Sequence, residues 1–252
     1  MILSHPMKKV LPPSLKLTLK LWHQGLRDLQ AGNFRKFPRN SRLSAAEISR
    51  FPTRITLSQS IKNTRYSENK KHNLATAIAC IENRPIYPGE LFSFWHWVGK
   101  PNRHNGYREG RAIVNDQLQS TIGGGLCQLS GLIYFLILKA GITPQERHPH
   151  SQDIYTEETR FAPLGSDATV VYGYKDLRFP NTLSTPICFR FNLLETEIVA
   201  SLCSVKEIEE MEVKFKVSPE DKGIKKVETL RLSSSENRFE LVASTLYPTR
   251  NG

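Results

Sequence analysis

Three consecutive glycines, Gly123 to Gly125, are followed at once by Leu126-Cys127-Gln128 and an almost unbroken apolar run, Leu129 to Leu138; no other feature constrains this 252-residue chain as much. Only Ser130 and Gly131 interrupt the run. A helix of that composition has no polar face to give to water, so it must pass through the centre of a domain. Gly141 and Pro144 supply its stop signal. The glycines leave the backbone unhindered in front of it and place the helix start at or near Cys127. A sulfur there sits among unpaired backbone N–H groups, at the positive end of the helix dipole. That setting favours the thiolate, which is the nucleophilic form.

The elements around this helix predict an α+β fold. A central buried helix carrying the cysteine packs on a mostly antiparallel sheet, with an α-helical N-terminal extension before it and a β-rich C-terminal part after it. Three regions are expected: residues 1–54 as a basic helical extension, 55–195 as the core, and 196–252 as a β-rich segment. In the extension, Leu15, Leu19, Trp22, Leu26 and Leu29 form a helical stripe, with Lys16, Lys20 and Arg27 elsewhere on the surface. Docking on its own domain is the expected use of that helix, and its basic amphipathic character also fits an anionic membrane surface. Residues 33–54 read as an irregular linker with one helical turn near Ser44–Ile48. A helix follows at Ser67–Ile81, a turn and short strand over Ile86–Phe94, and a polar loop over Gly99–Gly110. Strand patterns occur at Ala112–Leu118, Ala168–Tyr174, Ile187–Leu193, Glu197–Leu202, Glu212–Val217, Lys226–Leu232 and Phe239–Leu246.

Charge and cysteine usage narrow the class. A net charge of +11 suits a polyanionic partner such as anionic lipid or an acidic polymer like cell wall, and no motif points to a specific nucleic acid. Cys80, Cys127, Cys188 and Cys203 include no C-x-x-C pair, so zinc ribbons and thioredoxin-like motifs are excluded, and their wide spacing is not a disulfide framework. Cys80, Cys188 and Cys203 read as small buried hydrophobes. No secretory signal and no apolar stretch of bilayer-spanning length is found, so the expected location is cytoplasmic, with a membrane-peripheral position open.

Arg147-His148-Pro149-His150-Ser151 places two imidazoles one residue apart, on the same face if the segment is extended. Pro149 confines that segment to an edge or an irregular loop. Either His148 or His150 is a candidate general base for Cys127. Together they would also suit a metal, with Cys127 or Asp167 as further ligands, but no fourth ligand is placed, and neither metal nor cofactor is expected. Asp167, in Gly165-Ser-Asp-Ala-Thr169, is the candidate that orients the imidazole; Asp176 and Asp153 are weaker substitutes. The Cys127 N–H, the Gln128 N–H or the Gln128 side-chain amide would form an oxyanion hole. Arg147 and Arg178 are candidates for a two-pronged grip on a substrate carboxylate, and Gly124 and Gly125 for close approach of a substrate. Phe92, Phe94, Trp95, Trp97 and Tyr107 line either a groove or a core edge.

The motifs Pro88-Gly-Glu-Leu-Phe-Ser-Phe94, Ile122-Gly-Gly-Gly-Leu-Cys-Gln-Leu-Ser130, Arg147-His-Pro-His-Ser151, Gly165-Ser-Asp-Ala-Thr169 and Asp176-Leu-Arg-Phe179 with Asn181 together resemble the VanW-like family, named for an accessory protein of glycopeptide-resistance clusters. The resemblance extends over roughly residues 74–191. Some members resemble cysteine L,D-transpeptidases of peptidoglycan. By that resemblance Cys127 would attack a stem-peptide carbonyl and release a terminal D-residue, and an amine or water would resolve the thioester. Two departures stand out: Trp95 where the family often has Asn, and Gly131 where it often has a small or hydroxyl residue. Many exported members add a membrane anchor and wall-binding domains. Two classes of function therefore fit the sequence. One is a cysteine acyl-transfer enzyme acting on a peptidoglycan-type peptide or precursor. The other is a non-catalytic accessory or binding protein of cell-wall metabolism or glycopeptide resistance, in which the glycine–cysteine turn is architectural.

Overall fold

The computed structural model describes residues 12–39, 41–62, 65–114, 117–153, 162–220, 223–233 and 237–249. In chain order, helix α1 (Pro13–Gln30) and a 3-10 turn (Asn33–Arg35) precede α2 (Ala45–Ile48), β1 (Thr53–Ser60) and α3 (Ser67–Ile81). Then come β2 (Leu91–Ser93), α4 (Phe94–Val98), the hairpin β3 (Glu109–Val114) and β4 (Gln117–Ile122), and α5 (Leu126–Lys139). After a long irregular segment the chain is all β: β5 (Arg178–Pro180), β6 (Ile187–Leu193), β7 (Glu197–Ser204), β8 (Val213–Glu220), β9 (Ile224–Ser233) and β10 (Arg238–Pro248).

Local sequence explains where these elements begin and end. Pro13 occupies the first turn of α1, where its missing N–H costs nothing, and Gly32 takes the left-handed conformation just past the helix. Ser44 and Glu47 cap α2 reciprocally: the Ser44 hydroxyl accepts from the Glu47 N–H, and the Glu47 carboxylate accepts from the Ser44 N–H. Helix α5 ends as its glycine requires. Gly141 (φ +80°) lets the Ile142 N–H reach the Ile137 carbonyl at 2.8 Å and the Gly141 N–H reach Leu138 at 3.1 Å.

The core is the α5 block laid on an antiparallel sheet of order β1-β7-β6, with α3 beside it. Leu129, Leu132, Ile133, Leu136 and Ile137 are buried against Leu74, Ile78 and Ile81 of α3 and Ile198, Ala200 and Leu202 of β7. Phe92 stacks on Phe179, and Phe189 meets both rings edge-on, which joins β2, β5 and β6. A second sheet, β10-β9-β8, packs on the outside of α5 through Phe215, whose ring meets Phe135 edge-on at 5.3 Å. The fold is α+β, with every strand pair of the named sheets antiparallel. The core sheet takes its central strand from β7, on the far side of the boundary expected at 195/196.

Four expectations change. The single strand expected at Ala112–Leu118 is replaced by the hairpin β3–β4, in which Ile113 pairs with Leu118. Strand β1 (Thr53–Ser60) begins in the last two residues of the expected linker and continues through residues given no element, with Ile55 and Gln59 inward. Ala168–Tyr174 is no strand: only an isolated bridge joins Val171 to Lys175. That segment runs along the start of α5, so its backbone groups pair with helix side chains and a neighbouring loop, as in Ser130 Oγ donating to the Ala168 carbonyl at 2.6 Å. The leucine stripe of α1 also lies on the other side of that helix from the expected one. Leu15, Leu19, Trp22, Leu26 and Leu29 all face solvent, with Trp22 at 66% exposure and Leu29 at 64%. The helix docks through Leu17, which packs on Gly173, and through Asp28, which takes two parallel hydrogen bonds of 2.8 Å from the Arg178 guanidinium. Burial pushes the Asp28 carboxyl up, but Arg178 and Asn33 outweigh it and hold the group below its ordinary range.

The glycine run meets the β3–β4 hairpin backbone to backbone. A Cβ on Gly124 would lie 2.1 Å from the Gly110 carbonyl carbon, while one on Gly25, inside α1, would meet nothing within 4 Å. Gly124→Ala is expected to destabilise the protein by about 1–3 kcal/mol through overpacking, whereas Gly25→Ala should stabilise it by about 0.8–1 kcal/mol. Thermal midpoints measured together check this, and equal midpoints for Gly124→Ala and wild type would refute the close approach.

Candidate active site

Helix α5 begins at Leu126, so Cys127 stands at its second position, in the first turn. Gly123 (φ +80°) and Gly125 (φ +103°) supply the left-handed turns that deliver the chain into the helix. Gly124 supplies the close approach. The buried Asn73 of α3 fixes the junction: its Nδ2 donates to the carbonyls of Arg108 and Gly124, each at 3.0 Å, and its Oδ1 accepts from the Arg108 N–H at 2.8 Å. The cysteine is thereby held between α3, the β3–β4 hairpin and its own helix.

The segment facing Cys127 is equally fixed. Ser130 Oγ holds the Ala168 carbonyl, Arg147 Nε donates to the Asp167 carbonyl at 2.8 Å, and the Thr169 N–H donates to the His148 carbonyl at 2.7 Å. A Cβ at Gly131 would meet Ser166 O at 3.5 Å and Asp167 Cα at 3.7 Å, ordinary contact distances, so this position of α5 has room for a methyl group and little more. The Cys127 sulfur then lies 3.9 Å from the Val170 carbonyl oxygen, and the His150 imidazole is the cationic group that acts on it electrostatically.

His150 is the partner, not His148. The Asp167 carboxylate accepts from the His150 backbone N–H at 2.6 Å and faces its Nδ1 at 2.9 Å, so Nε2 is the ring nitrogen turned away from that carboxylate. His148 instead points to Glu146 Oε1 at 2.9 Å. The two histidines therefore face different carboxylates and do not converge on one point. Asp176 accepts from Ser93 Oγ and the Trp95 N–H at the start of α4 and from the Leu177 N–H just before β5, and Asp153 pairs with Lys225, so neither competes for the imidazole.

Charge alternates along this line. Arg147 donates to Asp167 Oδ1 at 3.1 Å, and the Tyr247 hydroxyl, from β10, donates to the same oxygen at 2.6 Å. Burial pushes Asp167 up, but His150 and Arg147 outweigh it and hold the carboxyl well below the usual range. Burial likewise opposes the charged imidazole, yet Asp167 and Cys127 raise His150 to about 10. Burial raises the Cys127 thiol, and the His150 hydrogen bond and charge bring it below its ordinary value. A thiol drawn below its ordinary value thus faces an imidazole whose charged form is favoured, backed by a carboxylate and a guanidinium.

These groups border a cavity of about 430 Å³. Cys127, Gln128, His150, Asp167 and the three glycines line one part of it, Trp95 and Tyr172 another, and Lys62, Lys70 and Arg111 a cationic wall. Burial, with Arg111 and Lys62 nearby, pushes the Lys70 ammonium down to about 8. Of the oxyanion donors read from the sequence, the Gln128 N–H donates to the Gly125 carbonyl and its Nε2 to the Ser60 carbonyl, each at 3.0 Å. The Cys127 N–H is the donor not engaged in those bonds.

The remaining site candidates sit elsewhere. Arg147 is spent on Asp167, Gly165, Thr245 and Tyr247 and covers the Tyr134 ring, so it supports the carboxylate and has no prong left for a substrate. Arg178 lies outside the cavity and is spent on Asp28. Of the aromatic cluster, Trp95 lines the cavity, while Phe92, Phe94, Trp97 and Tyr107 belong to the core. Tyr247 and the lysines of the cationic wall are additions. No local motif marks Tyr247, which reaches the site only through the register of β10 on β9.

The comparisons with known proteins agree with this geometry in extent. The chain is 31% identical over 138 residues to the uncharacterized protein YoaR of Bacillus subtilis (strain 168), covering 55% of this chain and 44% of that protein. It is 30% identical over 142 residues to the vancomycin B-type resistance protein VanW of Enterococcus faecalis (strain ATCC 700802 / V583), covering 56% of this chain and 52% of that protein. The chain thus spans about half the length of the curated relatives it matches. No solved structure matches it. The family model described as VanW like protein matches residues 69–203, from the first turn of α3 to the end of the core sheet, and the chain belongs to that family.

Proposed function

We propose that this protein is a cysteine acyl-transfer enzyme acting on peptidoglycan-type peptides. The single observation that carries the reading is the line Cys127–His150–Asp167 at the edge of a cavity of about 430 Å³. A nucleophile, a base in reach of it and a third group orienting the base are the parts that covalent acyl transfer needs. The cationic wall of Lys62, Lys70 and Arg111 suits a peptide that carries free carboxylates. The cell-wall assignment draws on the name of the enterococcal relative, a vancomycin resistance protein.

In the first half-reaction the Cys127 thiolate adds to a peptide carbonyl and forms the C–S bond, with the Cys127 N–H facing the oxyanion. Collapse breaks the C–N bond, and the leaving amine takes the proton of the His150 imidazolium. An acyl thioester and a neutral imidazole remain. In the second half-reaction an amine or water gives its proton to His150 as it adds to the thioester. Collapse then breaks the C–S bond and restores the thiolate and imidazolium. A purely architectural role accounts for Gly124 and Asn73, but it gives no reason for a buried imidazolium beside the sulfur.

Incubation of the purified chain with peptidoglycan fragments, followed by mass spectrometry, tests the reading: loss or exchange of a terminal residue is expected. Cys127→Ala should abolish turnover and lose no more than roughly 1 kcal/mol of stability, since Cys127 also packs against the core. Cys80→Ala should keep turnover and lose roughly 1 kcal/mol of stability, because that side chain packs against the core. At neutral pH, iodoacetamide should alkylate Cys127 well before Cys80. If Cys127→Ala melts far below wild type and Cys127 alkylates no faster than Cys80, the sulfur is a packing residue and the enzyme reading fails.

The pH dependence carries its own sign. The acid form of His150 is present below its raised value and is lost as pH rises through about 10, so kcat/KM should fall on that alkaline limb. Asp167→Asn removes the main group that raises the imidazole. Its alkaline limb should move down toward the ordinary histidine value of about 6.5. Tyr247→Phe deletes one donor to the same carboxylate and should cost about tenfold in kcat/KM, with a smaller shift of the limb. An unmoved limb in Asp167→Asn would remove that residue from the mechanism.

A further inference from the structure

Helix α1 presents two different faces. Leu17 and Asp28 hold it to the body of the protein. On the other side Leu15, Leu19, Trp22, Leu26 and Leu29 fall within an arc of about 80° at 100° per residue, all of them exposed. Lys16, Lys20, His23 and Arg27 occupy the adjoining flank, also exposed. Asp28 is the one acidic residue in the helix, and it is consumed by Arg178. Phe34, in the turn that follows, adds another exposed ring at 56%. A row of leucines and a tryptophan left in water costs free energy unless something covers it.

From this arrangement we infer that α1 is an interfacial helix that lays its leucine–tryptophan stripe on the surface of an anionic lipid bilayer. The charge pattern chooses the occupant. Basic side chains beside a narrow apolar stripe place their ammonium and guanidinium groups at the level of acidic headgroups while the stripe enters the acyl boundary. Trp22 sits in the stripe, and its ring, apolar with one N–H, suits that boundary. A second copy of the helix is disfavoured, because it offers no acidic partner to Lys16, Lys20 and Arg27: its one acidic residue, Asp28, is consumed by Arg178. The helix does not span: among the described residues no helix is long and apolar enough to cross a membrane. The inference is independent of the acyl-transfer reading, since no residue of the stripe touches the cysteine site.

The test is sedimentation of the full chain with vesicles of phosphatidylglycerol in phosphatidylcholine, against phosphatidylcholine alone. Binding to the anionic vesicles should exceed binding to the neutral ones by more than an order of magnitude, and should weaken as salt shortens the Debye length. Each of Lys16→Gln, Lys20→Gln and Arg27→Gln should reduce it about fivefold. The triple variant Leu19→Glu, Trp22→Glu, Leu29→Glu should abolish it with an unchanged thermal midpoint, because these side chains make none of the docking contacts of α1. Trp22 emission should shift to the blue on the anionic vesicles and not on the neutral ones. Equal binding to both vesicle types, or vesicle binding that the triple variant retains, would overturn the inference. So would a dimer that the triple variant dissociates in a protein that binds neither vesicle.

Discussion

The Asp167 carboxylate is the interaction on which the site depends. Four donors meet it: the His150 N–H and Nδ1, the Arg147 guanidinium and the Tyr247 hydroxyl. A carboxylate in that interior without partners would cost several kcal/mol, and two cationic donors with two neutral ones offset it. Meeting this requirement fixes far more than one side chain. Arg147 is held by its other bonds to the Asp167 and Gly165 carbonyls and to Thr245, and Tyr247 ties β10 to the same point. The imidazole orientation follows, because Asp167 holds both the backbone and the ring of the same residue. The sulfur at the head of α5 completes the line that His150, Asp167 and Arg147 form.

The sulfur reaches that line because two backbones come together. Gly110 of the hairpin and Gly124 of the glycine run touch so closely that neither site has space for a Cβ. Asn73 spends both ends of its amide to hold this contact. The architectural and chemical readings of the glycine run are therefore both needed and apply to different residues. Gly124 answers to packing, Gly123 and Gly125 to backbone conformation, and Cys127 to the charge set opposite it.

Much of this was legible in the sequence where local rules act alone. An apolar block ended by glycine gives α5, alternation gives β6 to β10, and the motifs around Cys127, His150 and Asp167 name the three groups that the fold aligns. Local rules fail where long-range partners decide. Ala168–Tyr174 has the composition of a strand, but its backbone bonds go to Ser130 and His148, so it is none. His148 and His150 are equivalent in sequence, and Glu146 and Asp167 separate them. Arg147 and Arg178 look like substrate clamps in a motif, whereas each satisfies a buried carboxylate of its own chain. Tyr247 lies nearly a hundred residues from the motif it serves, and only strand register brings it there.

The leucine stripe of α1 fails for a different reason. Periodicity identifies an apolar face without saying what the face packs against, and the default assumption is the protein's own core. Here the helix is tied down by a charged contact: Asp28 lies between Arg178 and Asn33, and Arg178 in turn lies over the Phe37 ring. Removing one partner of such a buried pair would strand the other charge, at a cost of about 3–5 kcal/mol. That pair, with Leu17 against Gly173, fixes the position of a helix of eighteen residues. A tether of this kind leaves the hydrophobic face of α1 uncommitted, and so the strongest amphipathic signal in the sequence belongs to a surface that the folded chain does not itself cover.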